Sequence, residues 1–420
     1  MKLLFIAHRT PYPPNKGEKI RAYHILSQLV KKHTVSLIYW VDDPKDIQHV
    51  NLLRGMCKGG TVIPVYLKSI TAKLRAAQAL VQGKSFSEAY FYSARFQSEV
   101  DRLITKERPD LIYVFSSVMA RSLLKWSHIP TLVDFVDVDS EKWGQLAGFK
   151  KFPVSFVYRC EQRRLLRFER ETSRRARACI FVSQAEADLF NQLGGGGKNI
   201  VIPNGVDLDV RRLPLRDGQG AADVCGDARR LIFVGTMSYY PNEDAVLYFA
   251  HEIFPIVRKA FPNAIFEIIG RSPSRIVRRY DGNDGVRVVG EVSDVRAHLV
   301  QADVSVAPMR IARGVQNKVL EAMSVGIPVV ATSQAVQGMP AIREDEVLLA
   351  DTPEVFAAQI VRLLRDAALY RNVSAKARSR VLENYAWKAV GVELLKFIEG
   401  GPTAISDQKM ETPSLRRGSV

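Results

Sequence analysis

One rhythm repeats along most of the chain. A short run of mostly apolar residues is followed by a polar turn, then by a longer stretch with apolar positions three and four apart. Apolar runs without polar alternation predict strands buried on both faces, and the longer stretches predict amphipathic helices. In the first half the strand runs are KLLFIA (2–7), TVSLIYW (34–40), TVIPVYL (61–67), DLIYVF (110–115), TLVDF (131–135) and ACIFVS (178–183). A second series opens at LIFVG (231–235) and continues through AIFEIIG (264–270), VRVVG (286–290), ADVSVAP (302–308), IPVVAT (327–332) and EVLLA (346–350). Helical stretches such as GEKIRAYHILSQLVKK, which starts at Gly17, lie between them.

Strands alternating with helices predict parallel sheets flanked by helices. The fresh start at 231 predicts two open α/β domains facing each other across a hinge. GGGG (194–197), the turn IPNGVD (202–207) and a polar stretch at 211–229 separate the two series and suit a linker or a long surface loop. The expected division is a first domain over 1–200, a second over 201–385, a returning helix over 386–400 and a disordered tail over 401–420. A chain of 420 residues exceeds one ordinary core, which agrees with two domains.

Composition narrows the class. With 47% hydrophobic and 25% charged residues the chain reads as a soluble globular protein. No run approaches the roughly 18 apolar residues of a spanning helix, and MKLLFIAHRTPYPP reads as a first strand rather than a signal peptide. Cys57, Cys160, Cys179 and Cys225 are scattered without a C-x-x-C pair, as expected of reduced thiols in a cytoplasmic protein and not of a zinc site. The net charge of +16 favours a polyanionic partner: nucleic acid, an anionic membrane face or a phosphorylated ligand.

Ligands of open α/β sheets sit beyond the carboxyl ends of the strands. That rule brings forward HRTPYPPNKGEKIR after the first strand, where Gly17 lets backbone amides approach a phosphate or sugar. The same residues also fit an ordinary helix start. Gly83-Lys84-Ser85 resembles the end of a P-loop, but Gln78 stands where that motif requires glycine. In DFVDVDSEKW, Asp134, Asp137 and Asp139 stand just past a strand. A D-x-D pair suits a divalent cation or a substrate-positioning or catalytic carboxylate, but it is common by chance and recurs as DLD at 207–209, and Asp139-Ser140-Glu141 equally suits a helix cap. Arginines crowd 159–178 behind the aromatic and basic LAGFKKFPVSFVY. That composition suits an anionic membrane edge, or a solvated helix with Glu–Arg pairs. No recognition helix or aromatic-studded sheet for nucleic acid is evident.

The strongest candidate is RGVQNKVLEAMSVGIPVVAT (313–332): a loop, a short helix over 316–325, a glycine turn and a strand. Backbone amides at Gly314, Val315 and Gln316 open the helix, whose positive end favours a diphosphate. Lys318 adds a full charge there, and Glu321, about one turn on, suits the two hydroxyls of a ribose. An ordinary helix with a surface lysine and glutamate has the same spacing.

LEAMSVGIPVVA resembles the second half of the nucleotide-sugar signature of family-four glycosyltransferases, E-G-x-G-x-x-x-x-E-A-M-A-x-G-x-P-V-V-A. IPNGVD (202–207), FVSQAEADLF (181–190), the proline- and glycine-bearing first loop and NYAWKAV (384–390) extend the likeness over almost the whole chain. LIFVGTMSYYPNEDAVLYFA and DFVDVDSEKW are most similar to sugar transferases of bacterial exopolysaccharide clusters, including those associated with exosortase (PEP-CTERM) systems. The resemblance implies a GT-B fold of two Rossmann-like domains with a C-terminal helix crossing back to the first. It implies a retaining enzyme moving a sugar from a UDP- or GDP-linked donor to a lipid-linked saccharide, in the cytoplasm or on the inner face of the cell membrane. An anionic membrane surface is then an expected partner, and nucleic acid is not.

Gly17, Gly235, Arg313, Gly314, Val315, Gln316, Lys318 and Glu321 are thereby assigned to the donor. Asp137 or Asp139 would orient the acceptor or stabilise developing positive charge, so Asp137, Asp139, Lys318 and Glu321 form the expected catalytic set, with no metal or cofactor required. Arg313 departs from the signature, which carries a glutamate there, and an arginine accepts no hydrogen bond from a hydroxyl. Either the donor sugar is anionic, or Arg313 serves the diphosphate, or the donor lies differently. The family's basic pair after the first strand of the second domain is also missing; Thr236 and SYYPNED stand there. Lys318 with Arg310 or Arg313 is the expected replacement. The rival readings are a catalytically silent GT-B subunit binding a partner transferase, and a nucleotide-sugar epimerase or hydrolase.

Overall fold

The computed structural model describes residues 1–14, 17–206, 229–312, 315–339 and 342–400. The expected linker over 211–229 lies outside them except for Arg229, as do Cys225, Arg313, Gly314 and the expected tail over 401–420. The chain divides into two compact units. The first comprises 1–181, 187–202 and the residues from Gly391 onward; the second comprises 182–186 and 203–390.

The first unit holds a seven-stranded sheet. Its strands are β1 (Lys2–Ala7), β2 (Thr34–Val41), β3 (Val62–Tyr66), β4 (Leu111–Phe115), β5 (Thr131–Val136), β6 (Ala178–Phe181) and β7 (Asn199–Val201). They lie in the order β3-β2-β1-β4-β5-β6-β7, and every pair is parallel. From Leu3 to Ala7 every residue of β1 is buried, which is why its sequence runs LLFIA without alternation: helices cover both faces. The sequence signalled every strand here except β7, whose three residues are too few to carry a pattern. Gly391 packs against Gln28, and the Lys198 ammonium lies 4.9 Å from the centroid of the Phe397 ring, so the end of the last helix belongs to this unit.

The second unit holds six parallel strands: β8 (Arg230–Val234), β9 (Ile265–Ile269), β10 (Val286–Gly290), β11 (Val304–Ala307), β12 (Val329–Ala331) and β13 (Leu348–Leu349). Their order is β10-β9-β8-β11-β12-β13. In both sheets the chain winds outward in one direction from a central strand, then returns to that strand's other side. The reversals lie between β1 and β4 and between β8 and β11. Loops leaving the carboxyl ends of those strands diverge there, which opens a crevice in each unit.

Candidate functional site

In the second unit, β8 runs out through Phe233 and Val234 to Gly235, beside the end of β11. The helix Tyr240–Tyr248 follows β8, and the helix Asn317–Ser324 follows β11. Lys318, in the first turn of the latter, donates from Nζ to Asn242 Oδ1 at 2.6 Å. Its ammonium also lies 3.3 Å from Met309 Sδ and 4.5 Å from the centroid of the Phe233 ring. One charge is thus held by one amide oxygen, a sulfur and an aromatic face. Burial in those surroundings pulls the Lys318 pKa down to about 7, against an opposing pull from Glu321. Glu321 responds in the mirror sense: burial raises its carboxyl to about 7, opposed by Lys318 and Arg296. No described side chain hydrogen-bonds the Glu321 carboxylate, and Gln316, which starts the helix, provides no side-chain cap to the first-turn amides. Lys318 and Glu321 are both half-buried, so the site combines an acid and a base poised near neutrality at a helix start that the Gln316 side chain does not cap.

Glycine at 235 is enforced by packing. A Cβ there would meet Asn242 Nδ2 at 2.8 Å and Cγ at 2.9 Å, while that amide also donates to the Thr236 carbonyl at 2.9 Å. Gly270, at φ +146°, lies so close that a Cβ on it would land on the Gly235 carbonyl oxygen. Asn242, which the sequence reading passed over, is the amide that holds Lys318. Its signal was a polar side chain in the first helical turn after the glycine that ends β8.

Val315 is buried and Gln316 half-buried; both immediately precede the helix. Arg313 and Gly314 lie outside the described residues. Arg310 was expected beside Lys318, but its guanidinium makes two hydrogen bonds to Asp244, at 2.6 and 3.0 Å, and lies 4.7 Å from the centroid of the Tyr248 ring. Its charge is already committed. Lys318 is therefore the described cation that faces Glu321 without a carboxylate hydrogen-bonded to it.

In the first unit, β5 ends in a tight turn. Val136 adopts φ +67°, unusual for a β-branched residue, and the pairing with β6 shifts register between Asp134 and Val136. Buried Asp134 holds this turn. It accepts from Arg21 Nε at 2.9 Å, Arg21 Nη2 at 3.1 Å, Tyr113 Oη at 2.6 Å and the Val136 amide at 3.2 Å. Burial alone would lower the Arg21 pKa, but the Asp134 charge reverses the sign and holds it above its usual value.

Beyond the turn, Asp137 and Asp139 converge on Lys142, at 3.1 and 2.9 Å. Burial again opposes the Lys142 charge and the two carboxylates win, raising its pKa well above the ordinary value. Val138, not Asp139, occupies the cap position of the next helix, so the capping expectation fails. Ser140 instead donates its hydroxyl and amide to buried Glu169, at 2.6 and 3.2 Å. Burial, with the nearby Asp139 charge, pushes Glu169 up to about 8, which keeps it protonated at neutral pH.

His8, at the carboxyl end of β1, stacks on Phe115 with ring centroids 5.6 Å apart. Burial first and Arg9 second lower it to about 4, against Glu18, Asp139 and Asp42. It is a neutral imidazole within the electrostatic reach of Asp139, and its Nδ1 has no hydrogen-bond partner. The sequence reading did not single it out, because its proximity to Asp139, 131 residues on, leaves no local signal. Gly17 opens the helix Gly17–Leu29 and is exposed, with open space where a Cβ would stand, so backbone approach there is unhindered.

Two family models match the chain in tandem: Glycosyltransferase Family 4 over residues 17–210 and Glycosyl transferases group 1 over 228–366. A phosphatidyl-myo-inositol mannosyltransferase of Propionibacterium freudenreichii is 27% identical over 222 residues, 52% of this chain and 55% of that protein. An uncharacterized 44.6 kDa protein in the cps region of Klebsiella pneumoniae is 24% identical over 175 residues, 40% of this chain and 45% of the relative. The chain spans about half the length of the curated relatives it matches. Among solved structures, a sucrose-phosphate synthase of Thermosynechococcus elongatus superposes with a TM-score of 0.68 at 18% identity, over 95% of this chain and 99% of the other. Anabaena HepE in complex with UDP-glucose gives 0.66 at 15% identity, over 95% and 100%. These likenesses identify the fold as GT-B.

Proposed function

The chain carries in tandem the two domains of a group 1 glycosyltransferase, and from that premise we propose that it transfers a sugar from a nucleoside diphosphate donor to a lipid-linked saccharide, with retention at the anomeric carbon. The observation that carries this reading is the pairing of Lys318 with Glu321 at the uncapped start of the helix Asn317–Ser324, beside Gly235 and Asn242. A lysine held on an aromatic face by a single amide oxygen gains most from a diphosphate, which restores its full charge. A carboxylate that no described side chain hydrogen-bonds, one turn on, suits the two ribose hydroxyls. HepE, solved with UDP and with UDP-glucose, supports a uridine-linked donor.

Catalysis in this reading is electrostatic. Helix amides and Lys318 stabilise the departing diphosphate, so the step needs no metal, and Gly314, Val315 and Gln316 supply backbone contacts. Arg313 adds a second cation toward the diphosphate or toward an anionic sugar. The first unit presents the acceptor through Asp137 or Asp139, and Lys142 fixes the orientation of both carboxylates. The relative named for mannosyl transfer to phosphatidyl-myo-inositol favours a lipid-borne acceptor. The likeness of LIFVGTMSYYPNEDAVLYFA and DFVDVDSEKW to exopolysaccharide sugar transferases supports a role in exopolysaccharide assembly, with the reaction at the cytoplasmic face of the membrane in this reading.

The test is thermal unfolding with UDP, GDP, ADP and NADH, for the wild type and for Lys318→Ala and Glu321→Ala. A ligand at about 100 times its dissociation constant adds about 2.7 kcal/mol. A shift with UDP or GDP alone, lost in both variants, is expected. Absence of any nucleotide shift would move the reading to a silent subunit, and consumption of donor without acceptor would move it to an epimerase or hydrolase.

A further inference from the structure

The helix Ser69–Val81 in the first unit is built inside out. Its fully buried positions are small, Ala72 and Ala79, while Ile70, Leu74 and Val81 are 77%, 64% and 89% exposed. Positions 70, 74, 77 and 81 are spaced four, three and four, which puts them on one stripe about 60° wide. An apolar stripe of that kind normally faces a core. This one faces outward.

A second apolar surface lies in the same unit. At the start of the helix Val154–Arg175, Phe152 and Phe156 are 81% and 60% exposed. The two helices are fastened to each other. Arg164 Nη1 donates to the carbonyls of Leu80 at 3.0 Å and Lys84 at 3.2 Å. Buried Glu161 accepts from Ser85 Oγ at 2.7 Å and from the Phe86 and Ser87 amides at 2.8 and 3.0 Å.

Charge decides what such a face meets. Neither 68–87 nor 142–160 contains an aspartate or glutamate, and Lys68, Lys73, Lys84, Lys150, Lys151 and Arg159 are all exposed. A second copy seated on this face by two-fold symmetry would set these cations against themselves. An anionic bilayer supplies hydrocarbon for the apolar stripe and phosphate for the cations. No helix among the described residues is long and apolar enough to cross a membrane, so the contact would be superficial.

We infer that this face of the first unit docks on an anionic lipid surface, with the helix Ser69–Val81 lying in the interface, Phe152 and Phe156 inserted beside it, and the lysines on lipid phosphates. The inference rests on the lipid-linked-acceptor reading for its purpose, but not for its measurement. Each basic side chain near such a surface adds about fivefold to the partition constant.

The experiment is flotation of the full chain with vesicles of phosphatidylglycerol and phosphatidylcholine, compared with phosphatidylcholine alone. The expected result is binding that requires phosphatidylglycerol, weakens about tenfold in each of Leu74→Glu and Phe152→Glu, and weakens at least about 25-fold in Lys150→Glu/Lys151→Glu. Lys259→Glu, an exposed site in the second unit, should leave binding unchanged. These positions are on the surface, so the variants should unfold at the wild-type temperature. Their thermal response to UDP is read in parallel, which separates failure of the docking face from failure of the donor site. The inference falls if binding is equal on both vesicles, survives Leu74→Glu and Phe152→Glu, or drops as far in Lys259→Glu. A dimer dissolved by Leu74→Glu, with no vesicle binding, would also overturn it by making a second copy the occupant.

Discussion

If Lys318 and Glu321 hold the donor, its affinity must pass through a maximum near neutral pH, and each limb belongs to one residue. Burial brings both groups to about 7, so at pH 7 about half of each is ionised. A donor diphosphate favours the Lys318 ammonium, and binding therefore takes up a proton: about half a proton at pH 7 and about 0.9 at about pH 8. Ribose hydroxyls that donate to Glu321 favour the carboxylate, so binding there releases about half a proton at pH 7. The two nearly cancel at neutrality. Above about pH 8 Glu321 is already ionised, uptake by Lys318 remains, and affinity falls about tenfold per pH unit. Below about pH 6 Lys318 is already charged, release from Glu321 remains, and affinity falls as pH falls. Titration calorimetry with UDP-glucose, whose diphosphate diester does not titrate near neutrality, reads the proton count from the difference between phosphate and Tris buffers. Glu321→Gln should abolish the acid limb and keep the basic one; because Glu321 supports the Lys318 charge, that limb should start at lower pH. Lys318→Met should abolish the basic limb. Heats for the wild-type protein that are the same in both buffers at about pH 8.5 would refute the assignment of Lys318 to the diphosphate.

Two further outcomes test the first unit. Arg21→Met leaves Asp134 charged and buried without its counter-ion and should cost about 3–5 kcal/mol in urea unfolding, whereas Tyr113→Phe removes one hydrogen bond to the same carboxylate and should cost about 1.5–3 kcal/mol; equal losses would contradict a buried ion pair at this site. Glu169, raised to about 8, binds a proton in the folded state that the unfolded chain has lost by about pH 5. Its contribution therefore makes the fold less stable as pH rises from about 5 to 8, and Glu169→Gln should flatten the unfolding temperature across that window.

Much of the architecture was legible because a parallel sheet covered on both faces writes itself as unbroken apolar runs. LLFIA, LIYVF and VSVA are strands for that reason, and only β7 was too short to be seen. The site was legible in part. Lys318 and Glu321 stand one turn apart on a helix, a local relation that spacing alone predicts. Asn242 was not, since its contact with Lys318 crosses 76 residues and depends on β8 lying beside β11. The partner of Arg310 was hidden for the same reason: nothing local reveals that Asp244, 66 residues away, holds it.

By itself, then, the sequence determined the elements, their alternation, the two-domain plan and the residues able to meet an anion, because those follow from periodicity and side-chain chemistry over a few turns. Tertiary structure alone decided which charges are free and which are spent. Lys318 sits on Phe233 with an amide oxygen for company, Arg310 is paired, Asp137 and Asp139 share Lys142, and His8 is neutral. Ionisation depends on desolvation and on the nearest opposite charge. Both are set by which strands become neighbours, and no window along the chain contains that.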